Sequence, residues 1–350
     1  NWETLTLFGP IRYQHVNASK KLGADSLYIK ARAGVYSKNN GVAVYGFGHF
    51  TYQKYFYGYL YPRIVNDPNT FQRYSGIPRD ISRASFSSGE TDLSGIGFQN
   101  SWVTLQVGRG RESWGAGNDI QLALSEDSPA YDYAMLGSDY ENLRVNYIHG
   151  FLESTAEGIN RYITARGMEW TNKKSLVVGI SETIIYSGLN RPLDMGYMNP
   201  ISSHLEIELN DRLNILGTNS ANAVWQVHAD WLIRDRVRLS GNYLYDEFVI
   251  DPKIEIGKEH GKAFSLRAAY SPVRSPDHIL TGFASFVYVG TPTFRHGLGT
   301  NNFVQRGKPL GWQLGSDGQE WKAGLNYFNR KNLMLTISAS MLQSGEESIT

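Results

Sequence analysis

The sequence predicts an all-β fold, a transmembrane antiparallel β-barrel of about 16–18 strands with an inward-folded loop and a short extracellular helix. Three observations point there. Apolar and polar residues alternate with period two through most of the 350 positions. The apolar positions mix Ala and Gly with Tyr and Trp, and the connections alternate between short and long.

The alternation is explicit in residues 26–36, where Leu27, Ile29, Ala31, Ala33 and Val35 share one side and Tyr28, Lys30 and Arg32 the other. Residues 221–234 repeat it: Ala223, Trp225, Val227, Ala229, Trp231 and Ile233 alternate with Asn222, Gln226, His228, Asp230 and Arg234. Val237, Leu239, Tyr243 and Tyr245 then alternate with Arg236, Arg238, Ser240, Asn242 and Asp246, and Leu333 to Met341 close the series. Successive strand side chains point to opposite faces, so each segment has one apolar and one polar face. In a soluble sandwich the apolar faces would meet across a core. In an outer-membrane barrel they meet lipid, with aromatics gathered near the strand ends, and this composition favours the barrel.

Expected strands are 5–17, 26–37, 42–61, 92–99, 102–110, 131–139, 143–152, 160–171, 175–187, 221–234, 236–250, 262–273, 278–290, 318–329 and 332–343. Short turns fall at 38–41, 99–100, 140–142, 171–174, 234–235, 274–277 and 329–331. Long connections fall at 62–91, 111–130, 188–220, 251–261 and 291–317, with 18–25 and 153–159 on the same side. Barrels of this kind keep short turns in the periplasm and long loops outside. The count is odd, whereas single-chain bacterial barrels have even counts, so either further strands lie within the loops or one or more closing strands are missing beyond the ending GEESIT, and the second is favoured. One domain over 1–350 is expected, with 111–130 as an inward loop or plug and 188–220 as an extracellular loop. In that loop, Leu205, Leu209, Leu213 and Leu216 stand at helical spacing after a Ser cap followed by Glu206, which predicts a short helix within 202–216.

Composition excludes several classes. A net charge of +1 gives no basic field for nucleic acid. No apolar run approaches the length of a membrane helix. No basic-then-apolar N-terminal segment is present, so any signal peptide is expected to have been removed. With no cysteine, no disulfide framework is expected.

The densest chemistry lies at 107–133, VGRGRESWGAGNDIQLALSEDSPAYDY. Arg109, Arg111, Glu112, Trp114, Asn118 and Asp119, followed by Tyr131 and Tyr133, supply the guanidinium, carboxylate, amide and aromatic groups that hold a sugar. The same groups suit a plug paired to the barrel wall, and both readings stand. Lumen-facing positions are expected at Lys30, Arg32, Arg144, Asn222, Gln226, His228, Asp230, Arg236, Arg238, Arg267, Glu320 and Lys322, as selectivity groups or structural ion pairs. Glu182 is anomalous, because it shares its parity with Leu176, Val178, Ile180 and Ile184; a bulge or a rim position would resolve it.

With these residues in view the chain resembles the capsule-assembly Wzi family of outer-membrane proteins. The likeness rests on the 107–133 block, a GFL strand end at 150–152, RGMEW and GISETIIY within 166–186, Asn199-Pro200, Asn222, the YLYDEF run from Tyr243, and GKPLGWQLGSDG at 307–318. It implies a non-enzymatic barrel of about eighteen strands with an external helical region, acting as a lectin that anchors capsular or related polysaccharide at the cell surface. Surface polysaccharide and outer-membrane lipid are the partners it implies, and no cofactor. This chain departs from that pattern in being short and in having little helix.

An enzyme is not expected. The eight His are scattered, no G-x-S-x-G elbow occurs, and His204 near Ser202, Ser203 and Glu206 is a chance grouping. No His pair has metal-ligand spacing, and GRGRESWG lacks the Lys-Ser/Thr of a phosphate loop. The alternatives to a polysaccharide-binding barrel are a substrate-selective porin and a structural barrel subunit of a surface or secretion complex with protein partners.

Overall fold

The computed structural model describes residues 26–71, 74–80, 84–214, 221–246, 260–297, 299–329, 333–347 and 349. Among them, fifteen strands form one antiparallel sheet in which strands pair in chain order, interrupted only by a separate short hairpin between the thirteenth and fourteenth strands of the sheet. In order they are β1 (Leu27–Lys38), β2 (Gly41–Tyr52), β3 (Phe56–Val65), β4 (Ser88–Gln99), β5 (Val103–Gly110), β6 (Tyr131–Tyr140), β7 (Leu143–Phe151), β8 (Ile159–Thr171) and β9 (Leu176–Leu189). Then follow β10 (Ala221–Ile233), β11 (Val237–Asp246), β12 (Gly261–Arg274), β13 (His278–Val289), a separate two-residue hairpin β14 (Val304–Gln305) and β15 (Lys308–Pro309), β16 (Gly318–Asn329) and β17 (Leu333–Ser344). Strands β1 and β17 are the sheet edges, with no pairing between them among the described residues.

The expected strand at 42–61 is instead a hairpin. Its turn runs through Gln53 and Lys54, both with positive φ, and Tyr55 N–H donates to Tyr52 C=O at 3.2 Å. Neither residue is a usual turn former, and the aromatic alternation runs straight through them, so nothing in the sequence marks the reversal. The extra strand adds one to the expected count, and it moves the turn at 38–41 from the short-turn end to the long-loop end. It also sets Leu27 opposite Tyr52, at the short-turn end; the expected connection 18–25 lies outside the described residues. The expected strand 5–17 lies outside the described residues, as do 247–250 of the expected 236–250.

Pro62 and Pro272 both sit within strands at register shifts, between Tyr61 and Pro62 and between Tyr270 and Val273. Proline lacks the N–H a ladder needs, so a bulge is where a sheet tolerates it. Outward aromatics cluster by the short turns: Tyr55, Trp102, Tyr140, Trp170, Trp231 and Tyr270 are all exposed. They form the girdle of a membrane interface.

The concave side of the sheet is identified by the segment 111–130. Its backbone and side chains touch inward residues of β6, β8, β10, β11, β12 and β16, which one segment can do only from inside. The main apolar core therefore lies within the barrel: Trp114, Ile120, Leu122 and Leu124 pack with Phe294, Phe303, Leu310 and Trp312 and with wall residues such as Ile148 and Val287.

Two short helices occupy the long connection after β9: α1 (Met195–Met198), capped by Asp194, and α2 (His204–Leu209), capped by Ser203, whose side chain accepts from Glu206 N–H. The capping residue is the one read from the sequence, although the helix is shorter than 202–216. This segment lies on the convex face. Tyr147 Oη donates to Tyr197 C=O at 3.1 Å, Arg166 Nη1 to Asn199 C=O at 3.0 Å, and His204 N–H to Glu182 Oε1 at 3.0 Å. Tyr162, Tyr186, Tyr197 and His204 stack in series at centroid spacings of 4.9, 4.6 and 6.1 Å. Glu182 is thus resolved by neither a bulge nor a rim position: the ladder runs through it without a shift, and the segment covers it.

Candidate functional site

The site is built where the segment after β5 turns inward. Gly115 and Gly117 have φ of +120° and +79°, a region that side chains with a Cβ seldom enter. A Cβ on Gly115 would also strike Asn242 Oδ1 at 2.5 Å. The turn brings Trp114 against Leu124 in an isolated antiparallel bridge, with Trp114 N–H donating to Leu124 C=O at 3.2 Å.

Wall side chains then satisfy the backbone of this turn. Asn242 Nδ2 donates to Ala116 C=O at 3.0 Å and Ile120 C=O at 3.2 Å, while its Oδ1 accepts from Ala116 N–H at 2.7 Å. Ser265 Oγ donates to Ile120 C=O at 2.7 Å, and Gln226 Nε2 to Trp114 C=O at 3.3 Å. Buried irregular backbone needs such partners, which explains amides on inward positions of β10 and β11. Glu112 accepts from Trp114 Nε1 at 3.1 Å and Tyr133 Oη at 2.9 Å, and its N–H donates to Tyr131 Oη at 3.2 Å. Gln106 Nε2 donates to Tyr133 Oη at 3.2 Å and its Oε1 accepts from Tyr57 Oη at 2.7 Å.

A second inward connection, 291–317, locks onto the first. Ser125 N–H donates to Leu310 C=O at 3.0 Å, Trp312 N–H to Leu122 C=O at 3.0 Å, and Ser125 Oγ to Gly311 C=O at 2.6 Å. A Cβ at Gly311 would lie 1.7 Å from Leu122 O. Arg161, buried on β8, donates to Val304 C=O at 2.9 Å and Asn302 C=O at 3.0 Å, and Asn222 to Asn301 C=O at 3.3 Å.

Most of the sequence-selected residues converge on this network. Glu112, Trp114, Tyr131 and Tyr133 are buried within it. Arg111 pairs with Asp92, which Arg63 also contacts at 2.9 Å. Asp119 pairs with Lys322 at 3.1 Å, and Asn118 is half-buried on the same turn. Arg109 does not join them. It shares its parity with Leu105 and Val107, points to the convex face, and pairs with Asp132 at 3.0 Å while donating to Thr91 C=O. Of the inward positions, His228 meets Glu169 at 3.0 Å, Arg238 pairs with Asp230, and Arg144 pairs with Asp139 at 2.5 Å. Arg267 lies over the Phe283 ring at 3.8 Å, and Glu320 accepts from Trp312 Nε1 at 3.4 Å. Lys30 and Arg32 lie on the inward parity of the edge strand β1, with Arg32 over Phe47. Arg236 stands in the exposed turn after β10, donating to Pro272 C=O.

Sequence reasoning missed Asn242, Ser265 and Gly311, whose importance depends on a partner loop more than 100 residues away for the first two and nearly 200 for the third. It also missed a cleft of about 340 Å³ at the long-loop end, lined by Asn69, Tyr74, Ser75, Glu153, Arg306 and Lys308 among others. Lys308 Nζ donates to Tyr74 C=O at 3.0 Å. Burial pushes the Lys308 ammonium down, against the opposing pull of Glu90.

No protein-family model matches the chain, and no curated protein matches it. Among solved structures it is similar to Wzi of Escherichia coli, described as an outer membrane protein involved in group 1 capsule assembly and a carbohydrate-binding β-barrel. The identity is 12% and the TM-score 0.63, over 96% of this chain and 74% of that one. OprB of Pseudomonas putida also matches, at 12% identity and TM-score 0.45 over 90% of this chain and 87% of that one. So does a bacterial polysaccharide outer membrane secretin, at 8% identity and TM-score 0.43 over 92% and 91%. The likeness shows the fold, which is that of the outer-membrane β-barrels.

Proposed function

We propose that this barrel is plugged, and that it holds surface polysaccharide at its external end instead of passing solutes through its lumen. The observation that carries the reading is the interlock of 111–130 with 291–317, whose side chains form a dry apolar core where a porin has water. With the lumen filled, the external end is the surface left for function. The cleft there offers polar groups that suit a sugar: the Asn69 amide, the Glu153 carboxylate and the two cations Arg306 and Lys308, which also hold the Ser75 and Tyr74 carbonyls.

The cations favour an acidic polysaccharide. The likeness to the carbohydrate-binding Wzi barrel supports the same reading, as do the Wzi-like blocks of the sequence, and together they suggest a lectin of the capsule-assembly kind. In this account 1–350 is one barrel domain, 111–130 serves as plug, and 188–220 is an external loop.

The test is binding of an acidic capsular polysaccharide to the purified chain in detergent. Arg306→Ala with Lys308→Ala should weaken it by about a hundredfold or more, since each of the two charge-assisted hydrogen bonds contributes about 1.5–3 kcal/mol. Heat-modifiable migration should persist in the variant. Unchanged binding in a folded variant would place the sugar elsewhere, and steady channels in a planar bilayer would favour the porin.

A further inference from the structure

The convex face carries a feature that neither a sugar site nor a plug requires. Following the register sideways, Leu105, Leu136, Tyr147, Arg166, Glu182 and Trp225 stand in one lateral row. The row begins apolar and exposed, and turns polar and charged where α1 and α2 cover it. One row nearer the short turns, Val145, Met168, Ile180 and Val227 are apolar and exposed throughout. That lower row is the lipid belt of the barrel, and it ends against the lower edge of the covering segment.

Arg166 Nε lies 3.3 Å from Glu182 Oε2. An ion pair facing hydrocarbon is strongly disfavoured, and here the segment supplies its remaining partners, Asn199 C=O and His204 N–H. The inner side of the segment joins these polar contacts to an apolar cluster in which Tyr197, Ile207 and Leu213 pack on Tyr162, Ile184 and Tyr186. On its outer side Leu193, Met195, Met198, Ile201 and Leu209 are exposed, Ile201 at 89%, while the exposed polar groups, Asn210, Asp211 and the Arg212–Glu206 pair, gather at the end of α2.

Depth decides what meets that outer side. A barrel strand climbs about 2.5 Å per residue when its rise of about 3.3 Å is tilted by about 40°. Glu182, six residues along β9 from Leu176, stands about 15 Å above the short-turn end, whereas the apolar band of such barrels is about 25 Å tall. The segment therefore begins inside the band, on its outer-leaflet side.

We propose that residues 191–214 form an external clasp embedded in the outer leaflet, replacing the barrel wall as the lipid-facing surface over β7–β10, with the acyl chains of that leaflet as the partner of its apolar side. The clasp continues the lipid belt outward by one layer and shields the Arg166–Glu182 pair from hydrocarbon.

The chain has no cysteine, so single labels are unambiguous. Ile201→Cys and Leu209→Cys, each spin-labelled in proteoliposomes, are compared with Ile180→Cys in the belt and Asn39→Cys in a turn. Heat-modifiable migration checks that each variant folds. Both clasp labels should match Ile180→Cys in collision with oxygen over a water-soluble nickel chelate, several-fold above the ratio at Asn39→Cys. Labels matching Asn39→Cys would overturn the proposal in favour of a solvated loop. Labels shielded from both reagents, with broadening between copies, would overturn it in favour of a protein partner.

Discussion

Replacing Gly311 by Ala tests the interlock with the smallest available change. The added Cβ would stand 1.7 Å from Leu122 O, 2.7 Å from Leu122 C and 2.9 Å from Ala123 O, all backbone atoms that cannot rotate aside. Restoring ordinary contact requires the two loops to part by more than 1 Å, which breaks Trp312 N–H to Leu122 C=O and strains Ser125 N–H to Leu310 C=O. Two hydrogen bonds at about 1 kcal/mol each, and overpacking at about 1–3 kcal/mol, give about 3–5 kcal/mol against docking of the loops. The sheet itself makes none of these contacts, so the barrel should keep its heat-modifiable migration. Limited proteolysis from the external side should cut within 111–130 or 291–317 at least tenfold faster than in the parent. Gly299→Ala, with nothing within 4 Å of its Cβ, is the matched control. If Gly311→Ala and Gly299→Ala are cut equally slowly, the interlock is not what holds these loops.

Two further outcomes follow from the same geometry. Asn242→Ala leaves Ala116 N–H and Ala116 C=O without their wall partner and Ile120 C=O with Ser265 Oγ alone, and should loosen the plug by about 2–4 kcal/mol, read as faster hydrogen exchange at 114–124; unchanged exchange contradicts it. Arg109→Ala removes a convex, partly solvated pair with Asp132 and should change stability by no more than about 1 kcal/mol in urea unfolding, with polysaccharide binding unchanged; lost binding would return Arg109 to the site.

The alternation of Trp225, Val227, Ala229 and Trp231 with Gln226, His228 and Asp230 made β10 legible, because a sheet with two unlike faces writes them into every second residue. Ser203 and Glu206 marked the helix start for the same local reason. The parity of Arg109 with Leu105 and Val107 was also there to be read, and was outweighed by the crowd of polar neighbours in its block. The turn at Gln53 and Lys54 was not legible, since two non-Gly residues take positive φ without any turn-forming type to announce it. Neither was the clasp. Glu182 announced an exception on an apolar face, but its resolution depended on a segment more than ten residues on folding down the outside of the wall. Gly311 is the extreme case, because its requirement comes from the carbonyl of Leu122 on another loop.

The central claim is that the lumen is filled by two interlocked loops, and the most direct measurement is the conductance of the full chain in a planar lipid bilayer. The account predicts insertion, confirmed by protease protection in liposomes, without steady ohmic steps. Large, long-lived openings from the same preparation would contradict it.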